Sequence, residues 1–174
     1  MQIDLNADIG EGFDDEAIVP WISSANISCG AHAGSVVEIR QALRLCKQHN
    51  VAVGAHPSYP DRQNFGRLAI DISLPDLQTS LTQQLDYFLQ SASDEGVTVR
   101  HIKAHGALYN VAAQDAQIGA LLLALSRNYK LPLMILAQSP LHATAIQQQL
   151  PVIAEAFADR GYQANGQLVS RKQA

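Results

Sequence analysis

Ile3-Asp4-Leu5-Asn6-Ala7-Asp8-Ile9-Gly10-Glu11-Gly12 alternates strictly: Ile3, Leu5, Ala7 and Ile9 fall on one face of an extended strand, Asp4, Asn6 and Asp8 on the other. The strand breaks at Gly10-Glu11-Gly12, where glycine tolerates backbone angles that other residues resist. Taken alone, this is an edge strand with one wet face. Three later segments repeat the design, each a short apolar strand ending in reactive polar residues at a turn. They are Ala25-Asn26-Ile27-Ser28-Cys29-Gly30-Ala31-His32, Val51-Ala52-Val53-Gly54-Ala55-His56 and Ile102-Lys103-Ala104-His105-Gly106.

Helical spacing separates these strands. Ser35 with Glu38 forms a capping-box signature ahead of Val36, Ile39, Leu43 and Cys46, which predicts a helix over 36–48. Ser73 caps a second, with Pro75 in its first turn, a stripe of Leu77, Leu81, Leu85, Phe88 and Leu89, and Gly96 at its end. A third begins after His105-Gly106 and buries Ile118, Leu121, Leu122 and Leu125. Strands are expected at 131–137 and 152–158, with a helix between them at 141–150 and a polar loop after Gly161. Residues 57–73 show neither period, and a loop of that length is expected to be functional, often a lid. Strand and helix alternate without hairpin signals, so the sheet is parallel, either doubly wound or closed as a (β/α) barrel. Chemistry at strand carboxyl ends, and small or polar inward positions at Asn6, Ser28, Ala52 and Gly54, favour the barrel. Six strands are fewer than the roughly eight of a closed barrel.

The 174 residues suit one domain of 1–174, with 47% hydrophobic and 16% charged residues and a net charge of -4. No basic run invites nucleic acid, and no apolar run approaches the ~18 residues of a membrane span. Two cysteines, Cys29 and Cys46, match no disulfide or CxxC pattern, which with the acidic amino terminus fits the cytoplasm.

If the strand ends converge, Asp8, Glu11, His32, His56, Lys103 and His105 surround one cavity. Two chemistries stay open. A carboxylate with imidazoles, here Asp8, His56 and His105, is a divalent-metal set with room for water. Without metal, Asp8 would activate water, Lys103 would stabilise an oxyanion, and a histidine would protonate a leaving nitrogen. Lys103 should keep the nearby imidazoles neutral. Arg62 and Arg67 in the long loop suit a carboxylate clamp; Asn6, Tyr109 and Asn110 are within reach of a ligand, and Glu155, Asp159 or Arg160 could join from the sixth strand. His49, His101 and His142 read as structural, and Cys29 as a small buried hydrophobe.

The segments DLNADIGEGF, SANISCGAHAG, GAHPSYPDRQNFGR, KAHGALYN and FADRGYQANGQLVSR resemble the LamB/YcsF family, which includes one component of the ATP-dependent bacterial 5-oxoprolinase, its A subunit. The resemblance implies a distorted (β/α) barrel related to polysaccharide deacetylases. It also implies a role, with subunits B and C and ATP, in opening the lactam of 5-oxo-L-proline to L-glutamate. Asp8, Glu11, His32, His56, Arg67, Lys103, His105, Tyr109, Asn110 and Asp159 fall at motif positions. Ala31, Ser35 and Ala104 depart from the family pattern, which loosens the pocket wall. Family members continue past LVxR, so the barrel is expected to be incomplete, with a seam between its first and last strands for a partner chain to cover. The competing readings are a stand-alone metal-dependent amidase or deacetylase and a non-catalytic lactam-binding subunit.

Overall fold

The computed structural model describes residues 3–163, 168 and 169. Six strands, β1 (Asn6–Ile9), β2 (Ser24–Ser28), β3 (Ala52–His56), β4 (Val99–Lys103), β5 (Leu133–Leu136) and β6 (Val152–Glu155), form one sheet in chain order. Every neighbouring pair is parallel. Consecutive parallel strands need crossovers, supplied here by α2 (Val36–His49), α3 (Leu74–Asp94), α4 (Gly106–Ala112) with α5 (Ala116–Tyr129), and α6 (Pro140–Gln147). A short α1 (Asp15–Ile18) and a 3₁₀ turn (Val19–Trp21) link β1 to β2. The sheet is a curled half-barrel in which side chains of β1 and β6 meet: Asn6 Nδ2 donates to Glu155 Oε2 at 3.4 Å. The two strands do not pair, so the barrel is incomplete.

The core lies between the outer face of the sheet and the helices. Ile9, Ile27, Val53, Ala55 and Ile102 from the strands pack with Ile39, Leu43, Leu77, Leu81, Leu85 and Phe88 from α2 and α3. The inner face is polar, and a layer of hydrogen bonds runs across it below the strand tips. His101 Nε2 lies 2.7 Å from Asn26 Oδ1, and Asn26 Nδ2 donates to Asn6 Oδ1 and Asp8 Oδ1 at 2.8 and 2.9 Å. Gly54 makes this layer possible, because a Cβ there would overlap the His101 ring.

Two expectations change. Ile3 and Leu5 are 83% and 57% exposed, so the apolar face of the opening stretch is buried only from Ile9, where α2 covers it. The single helix expected after Gly106 is two: Asp115 takes the N–H groups of Gln117 and Ile118 and starts α5 afresh. Residues 57–73 carry no helix or strand, as expected, and are tied to the neighbouring helices. Gln84 of α3 clamps Ser58 through both backbone groups at 2.9 Å, and Ala107 N donates to Gly66 O. Part of the polar tail, 164–167 and 170–174, lies outside the described residues.

Candidate functional site

Four of the strands deliver reactive groups at or just past their carboxyl ends. Asp8 comes from β1 and Glu11 from the turn after it; His32 follows β2, His56 ends β3, Lys103 ends β4 and His105 caps α4. His32, His56, Lys103 and His105 are all under 7% exposed. His32 and His105 stack with ring centroids 3.7 Å apart and planes 4° from parallel, and His56 stands edge-on to both.

Asp8 uses its two oxygens differently. Oδ1 accepts from Asn26 and, at 3.3 Å, from Lys103 Nζ; Oδ2 faces His56 Nε2 at 3.4 Å. Burial works against ionisation of Asp8, but His56, Lys103 and Asn26 outweigh it and hold the carboxyl well below its usual range. Lys103 Nζ also reaches Asn6 Oδ1 and Glu155 Oε2, both at 3.1 Å. Glu11 Oε1 meets His32 Nε2 at 3.0 Å and His105 Nδ1 at 3.3 Å, and burial raises its pKa. Burial first, and His56 second, push His32 and His105 down to about 3, which leaves both neutral at pH 7. For His32 and His105 this matches the expectation; the main cause is desolvation rather than Lys103.

Backbone carbonyls orient two of these rings. His56 Nδ1 lies 2.7 Å from the Lys103 carbonyl and His105 Nε2 2.9 Å from that of Phe65. Phe65 and Gly66 both adopt positive φ (55° and 63°), which turns the Phe65 carbonyl inward while Gly66 passes close to His32 and His105. Two overlapping triplets place possible ligand atoms within 4.8 Å of one another: Asp8, His56 and His105, and Glu11, His32 and His105.

The structure therefore brings together Asn6, Asp8, Glu11, His32, His56, Lys103 and His105. Arg67 flanks them, its guanidinium 4.8 Å above the Phe65 ring, while Arg62 is tied to the Gly34 carbonyl. Tyr109 is buried beside Phe157, and burial and then Glu155 push its phenol up. Asn110 is exposed and donates to Gly106 O in its own helix, and Asp159 is exposed beyond β6. Of the β6 candidates, Glu155 joins the pocket; Arg160 instead donates to Val169 O. Sequence reasoning gave no role to Asn26, although an amide in mid-strand, in phase with Ser24 and Ser28, marks a polar inner face.

The sequence profile of the LamB/YcsF family matches residues 3–174. The chain belongs to the LamB/YcsF family. Among its relatives, the 5-oxoprolinase A subunit of Chloroflexus aggregans is 45% identical over 183 residues, spanning 99% of this chain and 71% of the relative. The Haemophilus influenzae (strain PittEE) protein of the same name is 44% identical over 175 residues, again with 99% and 71% covered. The crystal structure of a lactam utilization protein from Thermus thermophilus superposes with a TM-score of 0.93 at 37% identity, covering 99% of this chain and 73% of that one. This LamB/YcsF chain contains, among its described residues, no helix long and apolar enough to cross a membrane.

Proposed function

We propose that this LamB/YcsF chain acts as the A subunit of an ATP-dependent 5-oxoprolinase, opening the lactam of 5-oxo-L-proline to L-glutamate with partner subunits B and C. The relatives' names support the substrate class. The observation that carries the reaction type is Asp8, an ionised carboxylate with one oxygen fixed by Asn26 and Lys103 and the other facing the His56 imidazole.

A lactam carbonyl is a weak electrophile with a poor amine leaving group. Phosphorylating its oxygen with ATP, in the partner subunits, makes the carbon reactive and later releases phosphate. Water then adds to that carbon, the C–N bond breaks, the ring nitrogen takes up a proton, and a second water hydrolyses the resulting acyl phosphate to carboxylate and phosphate. In this pocket Asp8 Oδ2 takes the proton from water, and Lys103 neutralises charge developing on the oxygen. His56 and His105 line the leaving-nitrogen side, and Arg67 is placed to meet the substrate carboxylate.

Asp8→Asn keeps the shape and removes the base. In the reconstituted complex, glutamate formation from 5-oxoproline and ATP should fall by about 10²–10⁴-fold, with circular dichroism and melting unchanged. Wild-type turnover by this variant would remove Asp8 from the reaction.

A further inference from the structure

Two imidazole nitrogens and two carboxylates meet at the centre of the pocket. A carbonyl only accepts, so the Lys103 carbonyl holds a proton on His56 Nδ1, and the Phe65 carbonyl holds that of neutral His105 on Nε2. The remaining nitrogens, His56 Nε2 and His105 Nδ1, then face each other at 3.0 Å. Asp8 Oδ2 faces His56 Nε2 at 3.4 Å and Glu11 Oε1 faces His105 Nδ1 at 3.3 Å, and both oxygens are acceptors when ionised. Two ring nitrogens flanked by two carboxylates make a place for positive charge, which a proton or a metal ion can fill.

Their spacing indicates what fits. Bonds of 2.0–2.1 Å from a tetrahedral Zn²⁺ to nitrogen and oxygen place neighbouring ligand atoms about 3.3–3.4 Å apart. In the quartet, His56 Nε2 to His105 Nδ1 is 3.0 Å, His56 Nε2 to Asp8 Oδ2 is 3.4 Å, His105 Nδ1 to Glu11 Oε1 is 3.3 Å, and His56 Nε2 to Glu11 Oε1 is 4.0 Å. The surroundings suit a metal centre as well. Each histidine donates its second N–H to a backbone carbonyl, Asp8 is held from behind by Asn26 and Lys103, and Glu11 is held by His32.

We propose that Asp8 Oδ2, His56 Nε2, His105 Nδ1 and Glu11 Oε1 form a binding site for a divalent transition-metal ion of the Zn²⁺ type. The proposal rests on the same pocket as the ring-opening reading and deepens it: a bound ion would supply Lewis-acid assistance, and Asp8 would act on water through the ion it holds. Glu11 is the ligand most readily exchanged for water, because its oxygen lies 4.0 Å from His56 Nε2 and also accepts from His32.

The full chain, purified without chelator and without substrate, ATP or partners, should contain stoichiometric metal by elemental analysis. Chelator-stripped protein titrated with Co²⁺ should develop the visible bands of a tetrahedral site, and Zn²⁺ should displace them. His56→Ala and His105→Ala should abolish the bands, and His32→Ala should weaken Co²⁺ binding by about 10–100-fold through the unsupported Glu11. His49→Ala, at the exposed end of α2, should leave them unchanged. Should a ligand variant fail to fold, the wild-type titration still decides. Absence of stoichiometric metal, together with no Co²⁺ bands in the folded wild type, would overturn the site and leave a shared proton between the imidazoles. Because no turnover is measured, that result would leave the ring-opening proposal to its own test.

Discussion

Lys103 is the residue on which the pocket's charge balance turns. Its ammonium lies between Asp8 on one side and Glu155 on the other, with Asn6 completing the cage and the Phe157 ring 5.2 Å away. Two carboxylates fix the position of the cation, which matters because stabilising charge on a reacting oxygen requires a donor already in place. Glu155 acts through Lys103, as a positioning residue. Glu155→Gln keeps the shape but removes one of the two charges, so the ammonium should shift toward Asp8. Turnover in the reconstituted complex should drop of order 10-fold, carried mainly by kcat, with KM little changed. An unaltered kcat would mean that Asp8 and Asn6 hold the ammonium without help.

The strand–helix order was legible because each element carries its own local signal. Strand ends with Asp8, His56, Lys103 and His105 could be read as one cavity, since polar residues closing an apolar strand have few structural reasons to be there. What was not legible depended on tertiary cover. Ile3 and Leu5 alternate like buried residues, yet only a packed helix decides whether an alternating face is inside. The two-helix break at Asp115 was written in the sequence as an N-cap residue, but the apolar period running past it hid the break. The carbonyls of Phe65 and Lys103, which set the imidazole tautomers, leave no trace in side-chain identity. The capping box of α2 was readable in full: Ser35 Oγ accepts from Glu38 N at 3.3 Å, and Glu38 Oε2 accepts from Ser35 N at 2.7 Å. Ser35→Ala should lower stability by about 1 kcal/mol, measured as a reduced urea midpoint with an unchanged slope. A midpoint equal to wild type would show that packing of Ile39 and Leu43 alone fixes the start of this helix.

Across the whole molecule, three buried histidines tie stability to pH. His32 and His105 are held at about 3 and His101 at about 4, in each case chiefly by burial. Their ordinary value is near 6.5, so on acidification the unfolded chain takes up protons before the folded one does. The stability of the neutral folded state is full above about pH 6.5 and is lost as pH falls toward 3–4, by up to about 1.4 kcal/mol per pH unit for each histidine. Urea unfolding between pH 7.5 and 5 should therefore show midpoints that hold steady and then decline. A flat profile would mean that these rings are protonated, or open to solvent, in the folded state.

The bond from Asn6 to Glu155 joins groups 149 residues apart. Chains emerge from the ribosome amino end first. The aspartate, the lysine and the imidazoles are thus all synthesised well before the last carboxylate of the lysine's cage exists. A nascent chain carries the reactive groups but lacks the counter-charge that steadies them, so the pocket gains its final electrostatic form only once β6 has been made and has folded back beside β1.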